Sequence, residues 1–177
     1  MARKQNRRKA SPAAVILTVL VLAALFVWRM LGSPEDGKTQ ITLPNGELHI
    51  WFLDVGQADS SLLVCDGQAM PIDGGNVDDA SYVVASLEQY GVTSLDYVIN
   101  THCDEDHVGG LAGVLAKFPA EHVWSSTAEY GTKAFSNFVK YANEQGRAIE
   151  IPSPGDTFTL GEAEITVLGP LRDYENN

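Results

Sequence analysis

The stretch from Asp96 to Gly110, Asp-Tyr-Val-Ile-Asn-Thr-His-Cys-Asp-Glu-Asp-His-Val-Gly-Gly, constrains this chain more than any other. A short apolar strand runs straight into four side chains able to hold a metal ion, His102, Asp104, Asp106 and His107, then into a glycine pair and an amphipathic helix. A buried strand ending this way places its donors on a short loop at the edge of a sheet. In an extended loop His102 and Asp104, two residues apart, face one way, while Asp106 and His107 turn toward a second point as the helix begins. Two cations could then lie side by side, the arrangement that steadies both the attacking and the leaving oxygen in hydrolysis. Gly109 and Gly110 would let helix and sheet backbones approach closely behind them. The plainer alternative is a solvated acidic loop in which Asp106 caps the helix.

At 177 residues and 45% hydrophobic content, the chain can bury one sizeable core and no second one. Its charge is uneven. Arg3, Lys4, Arg7, Arg8, Lys9 and Arg29 are half of the 12 basic residues, and no acidic residue precedes Glu35, so all 23 acidic residues fall after it or at it. So acidic a body repels polyanions at long range, and stable nonspecific DNA binding is not expected of it. Bound divalent cations would change that locally. Cys65 and Cys103 are too few for a disulfide scaffold, and both are expected to be reduced. Cys103 lies within the ligand stretch, but an extended loop turns its side chain away from those of His102 and Asp104.

Residues 1–10 are basic and polar, and Ala13 to Trp28 is apolar except for Thr18. The pattern predicts a basic cytoplasmic tail over 1–10, one transmembrane signal-anchor helix over 11–31 and a chain that faces the extracytoplasmic side beyond it. A cleaved secretory signal, releasing a secreted protein, is the alternative. No small-x-small cleavage site follows Val27-Trp28-Arg29-Met30, which favours the anchor. Residues 32–47, rich in Gly, Pro, Ser, Asp and Lys, read as a linker, and 48–177 as the globular domain.

Within that domain Leu48 to Val55 is a continuous apolar run, expected as a strand buried on both faces, with His49 a satisfied strand histidine rather than a ligand. Gly56 to Asp59 forms a turn, Ser60 to Cys65 a strand, Asp66-Gly67 a hairpin turn and Ala69 to Asp73 a third strand. Asp78 or Asp79 caps a helix with Val83, Val84, Leu87 and Tyr90 on one face, ended by Gly91. Leu95 to Asn100 is a strand, and Leu111, Val114, Leu115 and Phe118 keep helical spacing up to Pro119. His122 to Ser125 is a short strand, and Thr132 caps a helix carrying Phe135, Phe138 and Val139 that Gly146 stops. Ala148 to Ile151, Thr157 to Leu160 and Ala163 to Leu168 are strands, the last two a hairpin about Gly161. Alternation after an all-strand start predicts an α/β or α+β sandwich with a mixed sheet.

Thr101-His102-Cys103-Asp104-Glu105-Asp106-His107 followed by Gly109-Gly110 resembles the Ser/Thr-His-x-His-x-Asp-His signature of the metallo-β-lactamase superfamily. Phe52-Leu53-Asp54-Val55-Gly56-Gln57-Ala58-Asp59 is similar to the Asp-Val-Gly-Gln turn of its ComEC-like branch, and Ile72-Asp73-Gly74-Gly75 to the end of the family's next strand. The resemblance implies an αββα sandwich, metals bound between the sheet edges, and a hydrolase. For the ComEC-like branch it implies a link to DNA uptake and a nuclease-like activity. It also implies that Asp73 sits near the metals and orients the loop, with Asp54 and Asp59 supporting the site or forming the turn. Ser60 and Asn76 are candidates to touch substrate.

Three departures stand beside the match. Asp104 replaces the family's second histidine, which adds charge and hardness and shifts preference from zinc toward manganese or another oxygen-preferring ion. Ala58 replaces the turn glycine. The residues of the family's later histidines and bridging aspartate do not occur by Asn177, so the resemblance implies the N-terminal part of a domain, C-terminally truncated, with an apolar sheet face left uncovered.

The expected function is that of a metal-dependent hydrolase, phosphodiesterase- or nuclease-like, acting on a phosphate-ester or nucleic-acid substrate. It would use two divalent ions, zinc or manganese, one held by His102 and Asp104 and the other by Asp106 and His107, with Asp106 also orienting water as the catalytic residue. The alternative is a catalytically inactive remnant, or a binding module that needs a partner to complete fold and site. Its expected partner on the N-terminal side is the membrane.

Overall fold

A computed structural model describes residues 21–23 and 43–169. The chain divides into two compact units, Met1–Thr39 and Gln40–Asn177. In the first, residues 21–23 are helical, and the rest of the expected tail and signal-anchor lies outside the described residues, as does most of the linker. No helix among the described residues is long and apolar enough to cross a membrane.

The second unit is built on a six-stranded mixed sheet in sequence order: β1 (His49–Phe52), β2 (Ser61–Cys65), β3 (Gln68–Ile72), β4 (Leu95–Asn100), β5 (Ala120–Ser125) and β6 (Ile149–Glu150). The first three strands are antiparallel neighbours, and β3 to β6 run parallel. Parallel neighbours need crossovers. These are α1 (Ala80–Gln89), the pair α2 (Glu105–Val108) and α3 (Leu111–Lys117), and α4 (Lys133–Glu144). Asp66 and Gly67, both at positive φ, make the tight β2–β3 turn that an Asp-Gly pair favours.

Strand alternation divides the core in two. Leu62, Val64 and Val98 point to the helices and meet Val83, Leu87, Leu111, Val114, Phe135 and Phe138. Leu63, Cys65 and Met70 point the other way, where the hairpin of β7 (Thr157–Leu160) and β8 (Ala163–Thr166) packs Leu160, Phe158 and Ile165 against them. The helix spacings expected from the sequence are met: Thr132 Oγ1 accepts from Phe135 N at 3.3 Å at the start of α4, and Gly91 and Gly146 have positive φ just beyond α1 and α4.

Three expectations are corrected. First, β1 is a four-residue edge strand half-buried on one face and exposed on the other. Ile50 pairs with Leu63 and so shares its face, yet Ile50 is 48% and Phe52 84% exposed, because the hairpin reaches over β3 and not as far as β1. Second, His49 Nε2 is buried without a hydrogen bond, 3.6 Å from a Glu47 carboxylate oxygen, its ring stacked on Trp51. Third, Asp79 does not cap α1 with its side chain. It turns back to accept from Asn76 N at 2.9 Å, closing a 3-10 turn over Val77–Asp79. The layers among the described residues are helices, sheet and a two-stranded hairpin, so β7 and β8 represent the second sheet of the expected truncated sandwich.

Candidate metal centre

Because β3, β4 and β5 are parallel and β2 is antiparallel to β3, one sheet edge collects the start of β2 and the ends of β3, β4 and β5. Ligand sites in open α/β sheets form at this edge. Backbone hydrogen bonds knit its loops together. Asp59 N donates to Asp106 O at 3.0 Å, Gly74 N to His107 O at 2.7 Å, Gly75 N to Asp59 O at 2.8 Å, and Gly110 N to Gly75 O at 3.1 Å. A Cβ on Gly110 would lie 2.0 Å from Gly74 O, and one on Gly74 2.6 Å from Leu111 N, so only glycine permits this approach.

Asp73 lies at the centre of these loops. It is buried, has φ +57°, and holds three groups: Thr101 N at 2.8 Å, Thr101 Oγ1 at 2.6 Å and His107 Nδ1 at 2.9 Å. An aspartate tolerates the left-handed region better than most residues do. With Nδ1 engaged, His107 presents Nε2 outward, 3.5 Å from Asp59 Oδ2 and 3.9 Å from Asp106 Oδ2. His102 lies alongside, its ring centroid 3.7 Å from that of His107 and its Nε2 3.6 Å from Asp104 Oδ2.

Two donor atoms about 2.0–2.2 Å from one ion in tetrahedral array are about 3.3–3.6 Å apart. The His102–Asp104 and His107–Asp59 separations meet that test, and one donor atom each from His102, Asp106 and His107 lie within 4.8 Å of one another. Among the described residues no lysine or arginine pairs with Asp59, Asp104 or Asp106. The donor set therefore fits divalent cations, of borderline to hard character.

The structure brings His102, Asp106 and His107 together and sets Asp104 to one side against His102, where Tyr130 Oη donates to its Oδ1 at 3.4 Å. It moves Asp59 from a supporting place to donor distance of His107. Asp54 closes its own turn, accepting from Gly56 N at 3.4 Å. Ser60 Oγ donates to Asp73 O, and Asn76 is engaged with Asp79. Ala58 is not at positive φ, so its substitution for glycine needs no special backbone. Cys103 is buried in the core facing away from the donors, beside Asn100 and Ser125, and burial pushes its thiol pKa up. Tyr130 was not foreseen; it sits in a loop with no local pattern.

Beside Thr101, between the second face of the sheet and the hairpin, lies a cavity of about 350 Å³ lined by Ile72, Ile99, Trp124, Phe158 and Leu168 among others.

Helices backing a mixed sheet, with a histidine–aspartate cluster at the sheet edge, define an α/β fold with a candidate metal centre. The chain belongs to the metallo-beta-lactamase superfamily: the family model of that description matches residues 53–173. Among curated relatives it is similar to recombination protein 2 of Haemophilus influenzae, 27% identical over 134 residues, which are 71% of this chain and 17% of that protein. It is also similar to the lactamase-like protein nscB of Aspergillus fumigatus, 28% identical over 103 residues, 57% of this chain and 29% of the relative. Among solved structures it shares its fold with MEM-A1, a subclass B3 metallo-beta-lactamase from a soil metagenome library, at a TM-score of 0.52 and 18% identity over 73% of this chain and 53% of that one. The chain thus spans about half the length of that solved structure and less than a third of either curated relative.

Proposed function

We propose that the chain carries the metal-ligand loop of a metal-dependent hydrolase that cleaves phosphodiesters or related phosphate esters. The observation that carries the reading is the convergence of His102, Asp106 and His107 donors within 4.8 Å, with Asp73 holding the far nitrogen of His107. His102 with Asp104 would hold one ion, and His107 with Asp106 and Asp59 the other; zinc and manganese both suit these donors. When bound, such ions supply Lewis acidity toward a phosphoryl oxygen and acidify water. The chain's own contribution is orientation: Asp73 sets the tautomer and direction of His107, and Asp106 would orient the water and accept its proton. The similarity to recombination protein 2 and the ComEC-like turn support a polynucleotide substrate over a lactam.

The test is a chromogenic phosphodiester assay on the purified chain after metal removal. Turnover restored by Mn²⁺ or Zn²⁺ and lost in His107→Ala supports the reading. Failure to retain metal and to turn over under any of these ions would sink it for this chain.

A second reading, a binding module that needs a partner, is favoured by one observation, the exposed apolar side chains of Ile50, Phe52, Ile151 and Leu168. We further propose that residues 11–31 anchor the chain in a membrane with residues 32–177 on the extracytoplasmic side. Cleavage of the globular unit by protease added outside intact cells tests this.

A further inference from the structure

We propose that Tyr130 is a positioning residue for Asp104, fixing which of its two carboxylate oxygens is available to a metal ion. The inference rests on the reading that His102 and Asp104 hold an ion, and goes beyond it in assigning a role to a residue of the β5–α4 loop. Tyr130 Oη donates to Asp104 Oδ1, while Asp104 Oδ2 lies 3.6 Å from His102 Nε2, the separation expected of two ligands to one ion. The two oxygens would thus be divided, Oδ1 to Tyr130 and Oδ2 to an ion that Asp104 and His102 would hold.

The hydroxyl is presented by a shaped loop. Glu129 N donates to Thr127 Oγ1, which donates in turn to Glu129 O, so the residues before Tyr130 are folded on themselves. The Tyr130 ring meets the edge of Phe135, a buried residue in the first turn of α4, with centroids 6.1 Å apart and planes at 76°. At 3.4 Å the bond is long for a hydroxyl on a carboxylate.

The role has a chemical reason. A histidine ligand has one free nitrogen and cannot chelate, whereas an aspartate can bind through one oxygen or two. A hydrogen bond to Oδ1 keeps Asp104 on one oxygen, so a carboxylate can fill a place suited to imidazole. Partners of this kind are commonly worth about 10–100-fold in metal affinity.

The experiment titrates the full chain, stripped of metal, with Mn²⁺ and with Co²⁺, for wild type, Tyr130→Phe, Asp104→Ala and the double variant. Calorimetry gives affinities and cobalt absorption reports coordination. The phenylalanine keeps the ring against Phe135, and an unchanged melting temperature without metal shows that it folds. The expected result is one ion weakened about 10–100-fold in Tyr130→Phe with an altered cobalt spectrum, the other within about twofold, and no further loss when Tyr130→Phe is added to Asp104→Ala. If Tyr130→Phe binds both ions as wild type does while Asp104→Ala loses one, the proposal is overturned and the metal reading stands. If Asp104→Ala keeps both ions, or wild type binds none, the reading itself fails and takes the proposal with it.

Discussion

Asp73 Oδ2 lies 2.9 Å from His107 Nδ1, and the same carboxylate takes both the backbone and the hydroxyl donor of Thr101. One buried side chain at the end of β3 therefore sets both the tautomer of a histidine and the path of the loop that carries the other donors. Asparagine would tolerate the φ of +57° but cannot accept from all three groups and carries no charge. Asp73→Asn is expected to fold and to lose about 10–100-fold in metal affinity, measured by competition with a chromophoric chelator.

The glycines behind the centre are a packing requirement. A Cβ on Gly110 meets Gly74 O at 2.0 Å, a backbone atom that cannot swing aside, whereas one on Gly131 meets nothing within 4 Å. Gly110→Ala should cost about 3 kcal/mol or more in chemical denaturation, at the upper end for overpacking. Gly131→Ala should stay within about 0.5 kcal/mol.

Asp66 joins three distant parts of the domain. Its Oδ1 accepts from Gly46 N at 2.7 Å and its Oδ2 from Glu162 N at 2.9 Å, and these backbone donors, Gly46 first, hold its carboxyl pKa below the ordinary value. A lowered folded pKa means that the stabilisation is whole above the unfolded value of about 3.9 and is lost as pH falls through the folded value. Acid titration of the melting temperature should therefore show a shallower acid limb in Asp66→Asn than in wild type. Equal slopes would mean that the two bonds do not discriminate the charged form.

Both cysteines are free and buried, and Cys103 is held as a thiol by burial. Its raised pKa means that the folded state favours the protonated form, so this contribution is whole below the ordinary value of about 8.5 and is lost as pH rises toward the folded one. A disulfide reagent such as DTNB should titrate neither thiol in the native chain at neutral pH, and both in guanidinium. Rapid native labelling would contradict the burial.

By itself the sequence determined what is local. The short apolar runs of Ser61–Cys65 and Leu95–Asn100, the Asp-Gly turn and the 3.6-residue spacing of α3 and α4 each act through neighbours a few residues apart, and all appear in the structure where those patterns place them. The donor loop was legible for the same reason, since its residues are adjacent and its type follows from side-chain chemistry. Tertiary structure decided whatever depends on strand pairing. Asp59 reaches His107 only because β2 runs antiparallel to β3 and returns its first residue to the edge where β4 ends. Tyr130 reaches Asp104 only because β5 lies parallel beside β4. The same pairing left β1 at the sheet edge, where an apolar run that reads as doubly buried shows Phe52 to solvent. Hydrophobic pattern specifies which side chains prefer an interior, but whether a second layer arrives to cover them is a property of the assembled sheet.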